Sequence, residues 1–320
     1  MNFSGDYVGK KLNVDCPICR STSHSKHVAD NGRTILKCRT CELLFFAEMP
    51  SNEALEDYYR VYAYGELNIL DSITRISYDE VLNLLEKKMR GLTPKILDFG
   101  CGQGDFLKAA RERGFDAHGM EFSESAVSRC RQAGLSCSLV KDFKQAKALL
   151  SAKSPYNIVT AFELIEHLPN PEDFLVFAQD ILPDNGLLLL TTPNTKSLDN
   201  VWNYGLNVLA YPEHLCGFSS HTFRNVPSLT QMAIERIETR GSSLGLLRAI
   251  RRLLLRFNLI GDANKSNQGQ VEVMPNIRVR RRMTTVGIFV VYGRYFLNLF
   301  FFFTGLGSTL RVVYRRLRSP

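Results

Sequence analysis

Three groups of residues in this sequence have side-chain types and spacings that suit chemistry. Two Cys-X-X-Cys motifs lie near the start of the chain, a glycine-rich turn with flanking acids lies at 95–114, and two acids with a histidine lie at 163–167. Thiol pairs bind metal ions, glycine turns let a nucleotide-like cofactor approach the backbone, and acids beside a histidine move protons or bind cations. The three groups therefore predict a metal centre, a cofactor site and a proton-transfer or cation site.

The metal prediction rests on four cysteines. The motifs CPIC and CRTC are separated by 18 residues and contain Cys16, Cys19, Cys38 and Cys41. This spacing is typical of a structural zinc site, in which two tight turns direct four thiolates at one ion. Four protein ligands leave no open coordination position, so we expect structural zinc in a ribbon rather than a catalytic metal. Zinc ribbons also bind nucleic acid, and that role stays open.

The segment KILDFGCGQGDFLKAARERG reads as a buried strand, a tight turn and a helix. The turn contains Gly100, Gly102 and Gly104. A dinucleotide site has the pattern GxGxxG, whose third glycine would occupy the position of Asp105. An aspartate in the first turn of the helix would repel a pyrophosphate, whereas a neutral or zwitterionic ligand tolerates it. Asp98, just before the turn, suits a cationic amine. S-adenosylmethionine is therefore favoured over NAD.

Further cofactor contacts are expected at the ends of the next strands. Glu121 ends the second strand, where a carboxylate accepts hydrogen bonds from ribose hydroxyls. Asp142 and Phe143 end the third strand and frame the adenine in this prediction. Phe162 and Glu163 end the fourth strand and complete the predicted set.

The segment FELIEHL is the predicted catalytic segment. Glu163, Glu166 and His167 are spaced i, i+3 and i+4, so one helical turn would place them on one face. Three roles stay open: His167 as a general base, a divalent cation that lowers the pKa of an acceptor hydroxyl, or contact with the cofactor alone. His214 follows the fifth strand at the same sheet edge. We predict Glu166, His167 and His214 as catalytic, with a cation as an option for these three residues together with Glu163.

From Lys95 the chain alternates strands and helices, which is typical of a doubly wound parallel sheet. Seven strands are predicted, at 95–99, 115–121, 136–140, 156–162, 187–193, 235–240 and 309–314. Helices are predicted to begin near Asp105, Ser123, Lys144, Pro171 and Pro227.

Four segments together resemble the class I S-adenosylmethionine-dependent methyltransferases. They are ILDFGCGQGDFL, GMEFS, IVTAFELIEHLPNP and LPDNGLLLLTTPN, within Lys95 to Gly241. The resemblance implies an α/β fold with a Rossmann-like, doubly wound, seven-stranded sheet. It also implies that S-adenosylmethionine is held at the positions of Asp98, Gly100, Gly102, Glu121 and Asp142.

Two finer resemblances concern the substrate and the metal. The ribbon, followed by Pro50-Ser51 and paired tyrosines, is similar to bacterial zinc-ribbon methyltransferases, which often act on sugars or precursors of cell-surface polymers. The ExxEH segment resembles that of ubiquinone-type O-methyltransferases and small-RNA ribose methyltransferases, which use it for metal. These likenesses imply a small-molecule hydroxyl or sugar-carbon acceptor.

The domain organisation and the charge distribution bear on partners. Residues 241–320 contain 14 lysines and arginines but only two acids. Such a basic block suggests an anionic partner. The predicted parts are a ribbon at 1–48, a helical cap at 49–94, a methyltransferase domain at 95–241 and 306–320, and a C-terminal basic helical insertion at 242–305.

The insertion contains an apolar stretch at 285–305, interrupted by Arg294 and Asn298. Its length would span a bilayer, but the central arginine disfavours a span. Helices lying in the membrane interface are the preferred interpretation, and a lid over the active site is the alternative. The interfacial interpretation implies an anionic membrane surface and a lipid-linked acceptor.

The first residues lack an apolar run, so no secretory signal is expected and the protein is predicted to be cytoplasmic, with peripheral association at the inner face of the membrane as an option. The leading prediction is methyl transfer from S-adenosylmethionine to a small-molecule acceptor, free or lipid-linked. Two alternatives remain. One is an RNA methyltransferase, disfavoured because no aromatic residues suited to base stacking accompany the arginines. The other is a non-enzymatic module that binds membranes or partners.

Overall fold

We describe a computed structural model of the chain at residues 15–28, 32–51, 53–55, 58, 71–89, 94–150, 156–200, 205–241, 301 and 304–318. These residues form a four-stranded and a seven-stranded sheet. The strands are β1 (His24–Val28), β2 (Thr34–Cys38), β3 (Leu44–Phe46), β4 (Lys95–Phe99), β5 (Asp116–Glu121), β6 (Cys137–Leu139), β7 (Ile158–Phe162), β8 (Leu187–Pro193), β9 (Cys216–Gly217), β10 (Met232–Arg240) and β11 (Thr309–Arg316).

The larger sheet has the strand order β10-β11-β8-β7-β4-β5-β6. Strands β4 to β8 pair in parallel, whereas β11 runs antiparallel to both β8 and β10. All seven predicted strands are present, and the predicted α/β fold class is confirmed. The carboxyl ends of β4, β5 and β7 lie side by side, which brings the predicted cofactor residues to one edge.

Six α-helices have both ends within the described residues. They are α1 (Asp71–Lys88), α2 (Asp105–Glu112), α3 (Glu124–Gln132), α4 (Phe143–Leu150), α5 (Pro171–Ile181) and α6 (Ser220–Arg224). The helix predicted near Pro227 is wrong, because only a single 3-10 turn, Val226–Ser228, occurs there. A capping box between Ser219 and Thr222 starts the helix earlier instead.

The alternating side chains of β8 show that the sheet is covered on both faces. Leu188 and Leu190 pack with Phe174 of α5, whereas Leu187 and Leu189 pack with Val81 of α1. Burial on both faces explains why this strand begins with four consecutive leucines.

The smaller sheet joins the N-terminal strands to the rest of the molecule. Its order is β1-β2-β3-β9, and β9 pairs antiparallel with β3 through Leu44–Gly217 and Phe45–Cys216. One continuous hydrophobic core contains residues of both sheets, including Phe45 and Phe99. The N-terminal strands are therefore part of the main folded body.

The predicted helical insertion at 242–305 lies outside the described residues except for Phe301, Thr304 and Gly305. Among the helices of the described part of the chain, none has the length and hydropathy to cross a bilayer.

Candidate active site

The glycine turn between β4 and α2 has a backbone that ordinary residues adopt with difficulty. Gly100, Gly102 and Gly104 have φ angles of 73°, 53° and 85°, in the left-handed region that favours glycine. A Cβ on Gly100 would lie 2.8 Å from Cδ1 of Leu164, and one on Gly104 would lie 2.6 Å from Cδ1 of Leu135. Both conformation and space therefore require glycine at these two positions.

Glu121, at the end of β5, is bound to the glycine turn. Its Oε2 accepts the backbone N–H of Gly102 at 2.8 Å, and its Oε1 accepts those of Phe122 at 2.8 Å and Ser123 at 3.0 Å. Burial raises the pKa of this carboxyl, although the three hydrogen bonds act to lower it. Because Oε1 already accepts two donors, Oε2 is the oxygen with a lone pair left for a ligand hydroxyl.

Asp98, in β4, is almost completely buried, with 1% of its surface exposed. The hydroxyl of Thr160 in β7 donates to Asp98 Oδ1 at 2.7 Å. Burial raises the pKa of Asp98 to about 8, and the neighbouring Glu121 adds to the shift. A cationic group brought next to this acid would favour its ionised form.

The structure places three other predicted cofactor residues in structural contacts. Asp142 Oδ1 accepts the Gln145 N–H at 2.6 Å, which caps α4. The Phe143 ring stacks on Phe99, with centroids 5.4 Å apart. Phe162 packs against Phe106, with centroids 4.6 Å apart. Their predicted cofactor roles stay predictions.

The expectation that Glu163, Glu166 and His167 share one turn of α-helix is wrong. A 3-10 helix spans only Ile165–His167, and Glu163 precedes it with a left-handed φ of 48°. Leu168, the C-cap of this 3-10 helix, has an extended backbone with φ −84° and ψ 130°, so the helical conformation does not continue towards Pro171.

The two glutamates therefore bind different partners on β8. The carboxylate of Glu163 accepts the Thr191 hydroxyl at 2.8 Å, and that of Glu166 accepts the Thr192 hydroxyl at 2.9 Å. Glu163 is an exposed residue. The protein around its carboxyl nevertheless desolvates that group, which raises its pKa to about 6. Glu166 is fully buried, and burial raises its pKa well above the ordinary value.

Glu166, His167 and His214 converge on one point. One ligand atom from each lies within 4.8 Å of the others, and the two imidazole centroids are 4.7 Å apart. Glu166 Oε1 is buried without a hydrogen-bond partner among the described residues, and it lies 3.9 Å from His167 Nε2. A buried carboxylate oxygen with no donor is costly, so this arrangement suits a bound cation. Glu163 does not belong to this group.

Backbone carbonyls orient both imidazoles. His167 Nδ1 lies 2.9 Å from the Glu213 carbonyl oxygen, and His214 Nδ1 lies 2.8 Å from that of Val208. Since a carbonyl only accepts, each Nδ1 carries a proton, which leaves Nε2 as the nitrogen of each neutral ring that can bind a metal ion. This is the usual arrangement of metal-binding histidines. Burial, and then the charge of His214, lowers the pKa of His167 to about 4.

The peptide backbone also fixes the position of His214 relative to Glu166. The Leu215 N–H donates to the Glu166 carbonyl at 2.8 Å, and the next residues form β9 of the ribbon sheet. The distant parts of the predicted catalytic set, 166–167 and 214, are therefore joined by main-chain hydrogen bonding.

The four N-terminal cysteines form a closed group. All four Sγ atoms lie within 4.8 Å of one another, with Cys16–Cys41 and Cys19–Cys38 both at 3.4 Å. Tetrahedral zinc at ~2.3 Å from each sulfur needs sulfur–sulfur distances of ~3.8 Å. The group therefore fits a zinc ion with small movements.

Sequence reasoning missed the hydroxyl partners of the acids. Thr160, Thr191 and Thr192 each donate to one of the site carboxylates. The two adjacent threonines that follow four leucines in β8 were the available signal. It also missed Cys130 and Cys137 as neighbours of Cys101.

A known protein family matches the part of the chain that carries this site. Residues 69–230, half of the chain, match the family described as methyltransferase domain. The fold and the site define a class I S-adenosylmethionine-dependent methyltransferase. The chain belongs to the methyltransferase domain family, and the predicted resemblance is confirmed.

Curated relatives include two ubiquinone biosynthesis O-methyltransferases. The protein of Pasteurella multocida is 25% identical over 126 residues, covering 35% of this chain and 52% of the relative. That of Idiomarina loihiensis is 29% identical over 158 residues, covering 48% of this chain and 61% of the relative. This chain thus spans about half the length of the first of these relatives.

Solved structures of similar shape include two methyltransferases. A SAM-dependent methyltransferase from Archaeoglobus fulgidus has a TM-score of 0.47 and 16% identity, covering 75% of this chain and 94% of that one. The plantazolicin methyltransferase BpumL in complex with SAH has a TM-score of 0.46 and 15% identity, covering 83% and 90%.

Proposed function

We propose that this protein transfers the methyl group of S-adenosylmethionine to a hydroxyl of a small-molecule acceptor, with a divalent cation held by Glu166, His167 and His214. The observation that carries the proposal is the convergence of two imidazoles on a buried carboxylate, one oxygen of which has no hydrogen-bond partner among the described residues. A bound cation there would lower the pKa of an acceptor hydroxyl. The relatives named as O-methyltransferases support transfer to oxygen.

The chain's own groups have distinct tasks in this proposal. Glu121, which already binds the Gly102 N–H through Oε2, would accept a ribose hydroxyl of the cofactor, and Asp98 would lie near its cationic end. The methyl donor is already activated by its sulfonium charge, so the protein mainly aligns donor and acceptor and excludes water. Thr192 and the carbonyls of Glu213 and Val208 hold the three cation ligands in place.

The ligand set also indicates the kind of cation. Two imidazoles and one carboxylate suit first-row transition ions such as Mn²⁺, Co²⁺ or Zn²⁺, whereas Mg²⁺ prefers an all-oxygen shell. We therefore expect the purified protein to bind Mn²⁺ and not to be saturated by Mg²⁺ alone.

The test is metal binding by the Glu166→Gln variant, with Glu163→Gln as the matched control. Electron paramagnetic resonance with Mn²⁺ reports binding without the need for an acceptor. We expect Glu166→Gln to lose Mn²⁺ binding, because it removes the ligand charge, and Glu163→Gln to retain it. The cation site is contradicted if both variants bind Mn²⁺ equally, or if the unaltered protein binds none. The cofactor site is tested separately, by calorimetry with S-adenosylmethionine and with NAD.

Structural zinc at Cys16, Cys19, Cys38 and Cys41 is a further part of the proposal. The closed group of four sulfurs supports it, and it supplies stability rather than chemistry. Metal analysis that finds less than one zinc per chain contradicts it.

The lipid-linked acceptor and the cytoplasmic, membrane-peripheral location are proposed on composition alone. They rest on the excess of arginine in residues 241–320. The first test is co-sedimentation with phosphatidylglycerol vesicles, with phosphatidylcholine vesicles as control. Binding to both or to neither contradicts electrostatic attraction to an anionic surface.

A further inference from the structure

A second sulfur cluster lies directly beneath the glycine turn. Cys101 belongs to the turn, Cys130 to α3 and Cys137 to β6, and their Sγ atoms lie within 4.8 Å of one another. The Cys101 and Cys137 sulfurs are 3.5 Å apart. All three residues are buried, at 9%, 0% and 7% exposure. The cluster has no part in the methyl-transfer chemistry described above.

Two glycines beside the cluster provide the space that its sulfur atoms occupy. A Cβ on Gly119 would lie 2.5 Å from the Cys101 sulfur, and one on Gly104 would lie 2.9 Å from the Cys130 sulfur. The three thiols are thus brought together by three separate elements and enclosed by two glycines.

The geometry suits a three-coordinate ion. A pyramidal ion ~2.3 Å from each of three sulfurs, with sulfur–ion–sulfur angles of ~100°, places the sulfurs ~3.5 Å apart. The observed group needs only small side-chain movements to reach that spacing. Among the described residues, no fourth Cys, His, Asp or Glu completes the group. A tetrahedral zinc ion would lack a ligand there, whereas soft ions that accept three sulfurs would not.

The charge of the surroundings selects among soft ions. The ionisable groups outside the cluster that act electrostatically on it are acids, Asp98 on Cys101 and Glu121 on Cys137, so neither can supply a compensating positive charge. Three thiolates with a monovalent ion would add two buried negative charges at great cost. Three thiolates with a trivalent ion are neutral.

We propose that Cys101, Cys130 and Cys137 form a binding site for a soft, trivalent, three-coordinate ion of the arsenite type on the underside of the cofactor turn. One As(OH)₃ reacts with three thiols to give three As–S bonds and three molecules of water. Three As–O and three S–H bonds break, the thiol protons leave in the water, and no atom changes oxidation state.

Occupation of this site would act on the cofactor turn. The Cys130 thiol donates to the Gly102 carbonyl at 3.3 Å, and the Gly102 N–H donates to Glu121. Formation of an As–S bond removes the Cys130 proton, so the carbonyl loses its donor. We therefore expect arsenite to weaken S-adenosylmethionine binding, and by linkage the cofactor to weaken arsenite binding equally.

The experiment uses the full chain saturated with zinc and incubated with sodium arsenite, then freed of unbound ion by gel filtration. Elemental analysis gives arsenic and zinc per chain. We expect stoichiometric arsenic with zinc retained, and loss of arsenic in both Cys130→Ser and Cys137→Ser. Cys216→Ser removes a buried thiol outside both clusters and is the matched control.

Three results would overturn the inference. The first is that the unaltered protein retains no arsenic. The second is that Cys137→Ser retains as much arsenic as the unaltered protein. The third is that the protein gains arsenic only as it loses zinc, which would place the ion in the ribbon. Calorimetry on each variant with S-adenosylmethionine checks that the cofactor domain is folded. An unchanged cofactor affinity in the arsenite-loaded protein would overturn the coupling to the turn.

Discussion

At the scale of single residues, the acids of the site differ in how completely the protein satisfies them. Glu121 accepts three backbone N–H groups, Asp98 accepts one threonine hydroxyl, and Glu166 has one oxygen without a partner in the described part of the chain. Glu121 therefore builds the turn as well as meeting a ligand. Asp98 and Glu166 are buried at a cost that a bound cation would offset.

We expect Glu121→Ala to weaken S-adenosylmethionine binding by ~10-fold or more, as the loss of a charged hydrogen-bond acceptor implies. The change removes the predicted ribose contact and the acceptor of the Gly102 N–H. Calorimetric titration measures the affinity, with Glu124→Ala, an exposed acid three residues on, as control. Unchanged affinity in a folded Glu121→Ala protein would refute the ribose role.

The burial of Asp98 predicts how the stability of the cofactor-free protein depends on pH. Its pKa is raised from 3.8 to about 8 by burial, so between these values the folded chain holds a proton that the unfolded chain has released. The free energy of unfolding therefore falls as pH rises through this window and levels off above it.

The test compares the unaltered protein with Asp98→Asn by denaturant unfolding. Between pH 5 and pH 7 the unaltered protein should lose ~1–3 kcal/mol of unfolding free energy relative to Asp98→Asn. Saturating S-adenosylmethionine should reduce the change, since its positive charge favours the ionised acid. Parallel pH curves without cofactor would contradict the buried state of Asp98.

At the scale of elements, the glycine turn depends on how closely α2 and α3 approach. Gly104 is the N-cap of α2, and the space that its Cβ would take is filled by Leu135 and the Cys130 sulfur. Gly114, after the same helix, has a similar φ of 83° but nothing within 4 Å of a Cβ. The two positions therefore separate conformational strain from packing.

Both Gly104→Ala and Gly114→Ala should cost ~1–2 kcal/mol for the left-handed backbone. Gly104→Ala should lower the free energy of unfolding by a further ~1–3 kcal/mol, because it overpacks the interface. Denaturant unfolding of both variants measures the difference. Equal losses would show that the helices are not packed as tightly at Gly104 as the structure indicates.

At the scale of the whole molecule, the ribbon is connected to the candidate active site. Strand β3 pairs with β9, which follows His214 by one residue, and the Phe46 N–H donates to the Leu215 carbonyl at 3.4 Å. His221 Nε2 lies 3.2 Å from the Thr40 carbonyl oxygen. Zinc in the ribbon would therefore stabilise the segment that carries His214.

We expect removal of zinc by a chelator to raise amide hydrogen exchange in both β3 and β9, by ~10-fold or more, equivalent to ~1.4 kcal/mol of local opening. Mass spectrometry of peptides containing 44–46 and 214–217 measures it, with β5 as the internal reference. Cys19→Ser should behave like the chelated protein. Faster exchange confined to the ribbon would contradict the connection.

The sequence by itself determined the local features. The seven strands, the glycine turn and the acids at the strand ends follow from residue type and short spacing, because each depends on neighbours within a few positions. The four ribbon cysteines were found in the same way. The predictions of an α-helix near Pro227 and of an α-helical turn at Glu163 were wrong, because short 3-10 turns form at or beside these positions.

Only the tertiary structure decided which distant residues meet. It separated Glu163 from the predicted group of Glu166, His167 and His214, and it paired β3 with β9 across about 170 residues of chain. It also gathered Cys101, Cys130 and Cys137 from a turn, a helix and a strand. Such contacts depend on sheet order and helix packing, which bring together residues whose spacing along the chain carries no periodic signal.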